Sequence, residues 1–496
     1  MLNVISRGLG FVVNLIIAYH FGTTEAIGVY FYCLSAVFTV GLFLGMVNAS
    51  VLVPESMRIA ERNGEMQSQA FLNVFLLGYA GLGLAFMLVL QFYPVELLLL
   101  LSRFDRALLE VHADVVVQTT LLLPLVMLSA FLVEVLNSRR FFTAGMLANL
   151  TSGLCVLVFI VLFRETLGVR SIAMGMLVGY LLQVGGALAM MRRLLQWRFR
   201  LGWQHHRRQI WEDLMFAQIG NLSTVFVNYL PFFLISNFSP AMIAALSFGM
   251  ALAAMPNTLL TDQVSSVVGI KLNVLLSTEQ QDEVNGVFQR ACNFLLFLLI
   301  PGCLFCALHA ERLVSLVYGR GAFDVESVRA SADFFRLLVL MPPFIAVNSL
   351  VSRLFMGARM VRQGVWYQIF INGLMASSIF VAVHLAGPYG YPAGLLVTYA
   401  LNMFFGYALV KRYFPQVFYL GVVIYLGKVL VVCGILLWAV TMLVDWVPSA
   451  SASLMLLTNF VAYGGGLLAL NHWLHLNDDL KVTLQELVGR FSGKSV

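Results

Sequence analysis

The sequence predicts an all-α polytopic membrane protein of about 14 transmembrane helices, with two six-helix lobes around a central cavity and two further helices behind them. Three observations predict it. Hydrophobic residues make up 60% of the chain and charged residues only 11%, against about 25% charged in a soluble domain, and mean hydropathy is +0.88. Apolar runs of membrane-crossing length recur from end to end. A strongly basic segment falls after the sixth run, and the pattern before it repeats weakly after it.

In order, the runs lie at 4–22, 26–54, 69–92, 115–136, 142–163, 170–191, 213–236, 240–270, 288–309, 328–357, 364–386, 390–410, 417–443 and 452–474. At about 1.5 Å per residue each reaches across a hydrocarbon core about 30 Å thick. The first two, SRGLGFVVNLIIAYHFG and VYFYCLSAVFTVGLFLGMVNASVLVP, are not plain lipid-facing helices. Arg7, Asn14 and Asn48 interrupt them, and Gly8, Gly10, Gly41 and Gly45 punctuate them. A charge near mid-membrane costs about 2.5–3.5 kcal/mol on insertion scales, so it turns toward protein or water. This pair is therefore expected to line a polar cavity.

In each half the second run is long and a polar stretch precedes the third: PESMRIAERNGEMQSQ in one, KLNVLLSTEQQDEVNGVFQ in the other. Such a repeat suggests two bundles related by a pseudo-two-fold axis along the membrane normal. The expected organisation is a lobe at 1–191, a basic cytoplasmic linker at 192–212 carrying Arg192, Arg193, Arg198, Arg200, Arg207 and Arg208, a second lobe at 213–410, two added helices within 411–475 and a cytoplasmic tail at 476–496. Leu480, Leu484 and Leu487 give that tail one apolar face, as in a short interfacial helix. With the N-terminus inside, inner segments carry about 20 Lys and Arg and outer ones about 7, which places both ends in the cytoplasm. Met1 leads into a helix broken by Arg7 with no small-residue cleavage site, so no cleaved leader is expected.

Several classes are excluded. The formal charge of +6 resides in short loops between apolar runs, so nucleic acid is not an expected partner. The six cysteines sit inside apolar runs, and Cys303-x-x-Cys306 has no His or carboxylate beside it, so packing is favoured over redox or metal chemistry. The eight histidines form no metal-binding spacing, and no P-loop is present. No enzyme, metal or cofactor is expected.

The polar residues within runs are the candidates. Arg7 suits an anionic group, because a guanidinium matches a phosphate with two parallel bonds. Asp262 suits a cation, a titrating role or a helix bridge. Asn14 and Asn48 are cavity candidates, although an interhelical hydrogen bond is the blander reading for each asparagine, Asn221, Asn228, Asn257 and Asn372 included. Arg353, Arg336 and Glu55 lie near run ends, where snorkelling competes with binding. Lys428 suits a lipid phosphate or an acidic partner on another helix.

Particular residues also resemble a known family. Ser6-Arg7-x-Leu9-Gly10-Phe11, Ile17-Ala18 and Phe21-Gly22 resemble the opening helix of the MurJ/MviN family, and Val53-Pro54 resembles the end of its second helix. Gly319-Arg320-Gly321-Ala322-Phe323-Asp324 resembles its outer-loop R-G-A-F-D signature. Asn137-Ser138-x-x-Phe141 looks like its inner turn, and Arg353, Arg359 and Arg362 fall at its arginine-bearing turn. The resemblance covers nearly the whole chain.

It implies a flippase of the wider multidrug and lipid-linked oligosaccharide exporter group, in a bacterial cytoplasmic membrane. Its partners would be membrane lipids and an undecaprenyl-pyrophosphate-linked saccharide, usually lipid II, moved from inner to outer leaflet by alternating access. Gly10, Glu55, Arg320, Gly321, Phe323 and Asp324 would then be structural or gating residues, and Arg7, Asn14, Asn48, Asp262, Arg353 and Lys428 substrate-binding ones. The coupling ion is left open.

Where the family has further cavity arginines, this chain has Val13-Asn14, Val40-Gly41 and Ala251. A less positive cavity holds diphosphate less well. A flippase for an exopolysaccharide or O-antigen repeat unit therefore stays open. A cation-coupled drug exporter would want an early mid-membrane carboxylate, and none precedes Glu55 except Glu25 at a run's start.

Overall fold

The computed structural model describes residues 2–200, 208–278, 281–358, 360–444, 452–474 and 476–477. The tail expected to form an interfacial helix, the centre of the basic linker and Arg359 lie outside the described residues.

Every regular element described is helical. In chain order they are α1 (Leu2–Phe21), α2 (Glu25–Val47), α3 (Val53–Asn63), α4 (Glu65–Phe92), α5 (Pro94–Leu101), α6 (Arg106–Val111) and α7 (Ala113–Thr120). Then follow α8 (Leu122–Ser138), α9 (Thr143–Leu167), α10 (Arg170–Leu194), α11 (Arg208–Ile235), α12 (Pro240–Ala253), α13 (Asp262–Ser277) and α14 (Gln281–Leu308). The last are α15 (Ala310–Tyr318), α16 (Val325–Leu338), α17 (Pro342–Gly357), α18 (Val361–Ala386), α19 (Gly390–Tyr413), α20 (Tyr419–Val444) and α21 (Ala452–Leu474).

The fourteen spans expected from sequence become eleven among the described residues when judged by length and apolarity, or up to twelve if a bent pair counts as one. Two physical causes lower the number. The first span contributes only the short apolar stretch Ile5–Phe21. The run Arg362–Tyr413 counts once although its 52 residues far exceed the roughly 20 needed for a crossing. It folds back on itself: Gly390 backs directly onto Ala382 and Gly394 onto Ser378 and Ile379, which brings α19 alongside α18.

Three expected runs also differ in detail. The second and eighth run on past the apolar stretch as helix, to Asn63 and Ser277, so the polar stretches that precede the third run of each half are largely helical. α3 is amphipathic: Ser56 is buried and Ile59 packs on the core of α4, α8 and α10, while Met57, Arg58, Glu61 and Arg62 are exposed. The tenth run is broken: α16 and α17 meet at 42°. Pro342 and Pro343 open α17, where their missing N–H groups are tolerated, but they cannot continue the hydrogen-bond ladder of α16.

The chain forms two compact units. The first is Met1–Phe248 with Tyr318–Ser327 and Gln368–Ala376; the second is Gly249–Val317, Val328–Tyr367 and Ser377–Val496. Inside a bilayer, helices associate by close packing and hydrogen bonds rather than by escape from water. In the first unit α9 and α10 meet at small residues, Gly175 lying against Val156 and Gly179 against Ser152. Gly153 accepts Leu9 and Val13, which seats α1 on α9. Phe71, Leu72, Phe131, Leu132, Val184 and Met191 join α4, α8 and α10 in one core. In the second unit the Arg353 stem crosses Gly269 and Gly357 meets Asn273, joining α13 to α17.

Each unit contains a π-helical segment, Asn48–Leu52 after α2 and Asn257–Thr261 before α13. Both open on an asparagine. A wider turn leaves the i−4 ladder locally unmade and marks a bend or a functional position.

Candidate functional site

In the first unit, the polar positions of α1 share a face. Arg7 and Asn14 are seven residues apart, two helical turns, so they stack; Leu9 and Val13 occupy the opposite side, against α9. Both Arg7 and Asn14 are half-buried, and Gly10 on the next turn is exposed with open space above it. Asn48 is fully buried. Tyr79 Oη donates to Asn48 Oδ1 at 2.9 Å, while Asn48 Nδ2 has no partner among the described residues. This is the interhelical bond of the blander reading, with one donor left over. Glu55, half-buried on α3, pairs with Arg58 at 3.4 Å.

The R-G-A-F-D segment is assembled onto the end of α1. The Ala322 N–H donates to the Tyr19 carbonyl at 2.8 Å. Gly321 has φ +66° and Gly22 has φ +56°, the left-handed region that L side chains rarely adopt. A Cβ on Gly321 would lie 2.2 Å from Tyr19 O, and one on Gly22 would lie 2.3 Å from Ala322 O. Phe323 is buried against Phe248 and Tyr318, with ring centroids 5.3 and 5.5 Å away. Thr23 and Ser327 hydroxyls share a hydrogen bond of 2.7 Å. Arg320 is exposed.

Asp324 caps α16: its Oδ1 accepts from the Ser327 N–H at 2.8 Å. That N–H, and then the Ser327 hydroxyl, hold the Asp324 carboxyl below its ordinary value of 3.8. A folded-state pKa that is depressed contributes stability above the unfolded pKa and loses it as pH falls through the folded one. Asp324→Ala is expected to lower stability by about 1 kcal/mol at neutral pH, and Asp324→Asn to retain the cap there. Thermal unfolding of both variants measures this; an Asp324→Ala protein with wild-type Tm and abundance would refute the capping role.

In the second unit, Asp262 is the first residue of α13 after the π segment and is exposed. Gly269, beneath the half-buried Arg353, lies seven residues further on the same face. Lys428 lies on another helix. It is exposed on α20, in line with exposed Ile424, Val431, Ile435 and Trp438. A lysine on such a stripe extends its ammonium toward a headgroup.

Asn372 makes the interhelical bond expected of it: its Nδ2 donates to Ser223 Oγ at 2.9 Å and Thr224 Oγ1 at 3.1 Å, tying α18 to α11. Two other polar contacts were not singled out by sequence. His20 and Arg164 join α1 and α9 at 2.8 Å. Asn73 holds the chain that follows α10, as described below. A lone asparagine or histidine in an apolar run was the available signal, but its partner lies far away in sequence. Cys303 and Cys306 are free thiols.

Comparison with solved structures places the fold. The chain matches a structure of the lipid II flippase MurJ in an inward closed conformation with TM-score 0.80 at 17% identity, covering 95% of this chain and 98% of that one. An inward-facing multidrug resistance MATE family transporter of the MOP superfamily matches with TM-score 0.67 at 13% identity, covering 82% and 94%. An outward-facing one matches with TM-score 0.57 at 14%, covering 84% and 93%. No curated protein matches by sequence. The family model described as lipid II flippase MurJ matches residues 17–458. With most of its length matched, including the loop that carries Arg320 to Asp324, the chain belongs to the MurJ family of lipid II flippases.

Proposed function

We propose that this protein is a flippase that carries an undecaprenyl-pyrophosphate-linked saccharide, lipid II, from the inner to the outer leaflet of a bacterial cytoplasmic membrane. The single observation that carries this reading is the family match over residues 17–458. The MurJ-like fold of helices supports it.

The work is transport, with no bond made or broken. Two lobes at 1–191 and 213–410 alternate access to the substrate, both chain ends lie in the cytoplasm, and an ion gradient or consumption of product drives the cycle. Arg7 holds the diphosphate. Its guanidinium offers two parallel donors, and Asn14 on the same face adds a neutral one. Asn48 lends its remaining amide donor when the helix bends at the π segment. In the second unit Arg353 and Asp262 are the corresponding polar candidates, and Lys428 meets a lipid phosphate along the α20 stripe.

The second reading is an exopolysaccharide or O-antigen repeat unit on the same lipid carrier. It is favoured by the scarcity of positive charge: Arg7 is the only Lys or Arg before Arg58.

Complementation in a bacterium depleted of its own lipid II flippase separates the two. Restored growth, with lipid II reaching the outer leaflet, is the expected result. No rescue by a protein shown to be expressed and inserted would transfer the assignment to the exopolysaccharide substrate.

A further inference from the structure

After α10 the chain does not leave the first unit as a loose linker. It turns back over α4 and is fastened there. Trp197 is buried in the core, and its Nε1 donates to Asn73 Oδ1 at 2.8 Å. Asn73 Nδ2 donates to the carbonyls of Arg198 at 2.8 Å and Arg200 at 2.9 Å. The Arg198 N–H donates to Gln69 Oε1 at 3.0 Å. One buried asparagine thus uses both of its amide heads to fix a strap of backbone.

Beside the strap lies a cleft of about 770 Å³, lined by Leu76 of α4, by Leu188, Ala189, Arg192 and Arg193 of α10, and by Phe199. Its lining is apolar except for the two arginines. Arg192, Arg193, Arg198 and Arg200 are all exposed, and among the described residues none of their guanidinium groups has a partner. The nearby Glu65 is taken by Arg139 at 2.7 Å. Topology alone asks only for positive charge near a helix end. It does not ask for a fixed strap, a shaped apolar recess, or an exposed phenylalanine at its mouth.

We propose that this cleft binds an anionic phospholipid of the inner leaflet, its headgroup phosphate held by Arg192 and Arg193 and an acyl chain lying against Leu76, Leu188 and Phe199. Guanidinium forks suit a phosphate diester, and the cleft volume falls within the range of small-molecule pockets, about 300–1,000 Å³. The site is independent of which saccharide is carried, so its failure and the failure of the flippase reading are separate results.

The test is lipid retention. The full-length protein is reconstituted in phosphatidylcholine vesicles containing phosphatidylglycerol, extracted in detergent, washed, and its bound phosphatidylglycerol counted by mass spectrometry. Retention by the wild type and a fall of about tenfold in the double variant Arg192→Gln, Arg193→Gln is expected, since each surface arginine strengthens attraction to anionic lipid several-fold. Ala189→Trp fills the recess with every arginine in place and is expected to lower retention to a similar degree. Arg62→Gln with Arg140→Gln, exposed basic residues outside the cleft, is expected to leave it unchanged.

The proposal is overturned if the cleft variants retain lipid like the wild type. It is equally overturned if the control pair loses as much, which would mean diffuse surface charge. Displacement of the lipid by inorganic phosphate at millimolar concentration would also overturn it, because it would reduce the site to an anion patch.

Discussion

Gly321→Val is expected to leave little folded protein in the membrane. Valine at φ +66° takes on backbone strain of about 1–2 kcal/mol. Its Cβ would also lie 2.2 Å from Tyr19 O, a contact that no rotamer relieves because both atoms belong to rigid backbone. The segment must move, and moving it breaks the 2.8 Å bond from the Ala322 N–H to that same carbonyl. Together these reach about 3 kcal/mol or more, a large part of the 5–15 kcal/mol typical of a folded protein. Abundance after membrane extraction and Tm in detergent are the measurements. Gly321→Ala should fall in the same direction, and Ala322→Gly, which keeps every hydrogen bond, should change little. A Gly321→Val protein with normal Tm would mean that the segment is not docked as described.

Arg7→Ala is expected to abolish transport while leaving insertion intact. The substitution removes a charge from an apolar helix, which makes insertion easier. Truncating one partner of a desolvated charge pair costs about 2–5 kcal/mol, or from about thirtyfold to more than a thousandfold in binding. Arg7→Lys keeps the charge but not the fork and should retain partial activity. The readout is lipid II exposure on the outer leaflet, normalised to protein in the membrane. Wild-type transport by a normally expressed Arg7→Ala protein would remove Arg7 from the substrate path.

Much of this architecture is legible in the residues themselves. Apolar runs reveal membrane helices because lipid tolerates little else. The end of α10 is announced by Arg192 and Arg193. What composition cannot reveal is direction. Gly387 to Gly394 read as the turn between two spans; what the sequence left out is the close backbone contact of Gly390 with Ala382 along which α19 packs on α18. Pro342 and Pro343 were visible, but hydropathy averages across them, so one bent pair read as one span. The charges of α3 read as loop because a helix outside the bilayer no longer needs an apolar circumference.

The candidate residues divide in the same way. Asp324 was readable as a structural residue only through the family resemblance; its capping of α16, three residues away, is a finding of the structure. Asn48 was readable as buried and polar, but not its bond to Tyr79, since nothing in either segment specifies the other. Asn73 passed unnoticed within an apolar run, although it secures the strap after α10. Lys428 left a lipid phosphate and an acidic partner on another helix both open; the structure puts it among exposed apolar neighbours, because its helical face rather than its depth decides what it meets.

The bond between Thr23 and Ser327 closes a separation of 304 residues. On a ribosome that distance is time. At about 5–20 residues per second, roughly 15–60 s elapse between the emergence of one hydroxyl and the other. Throughout that interval the end of α1 stands in the membrane with the Tyr19 carbonyl and the bare Gly22 turn uncovered. The first unit is begun first and finished late, so a nascent chain stalled before Tyr318 lacks the segment that covers this corner.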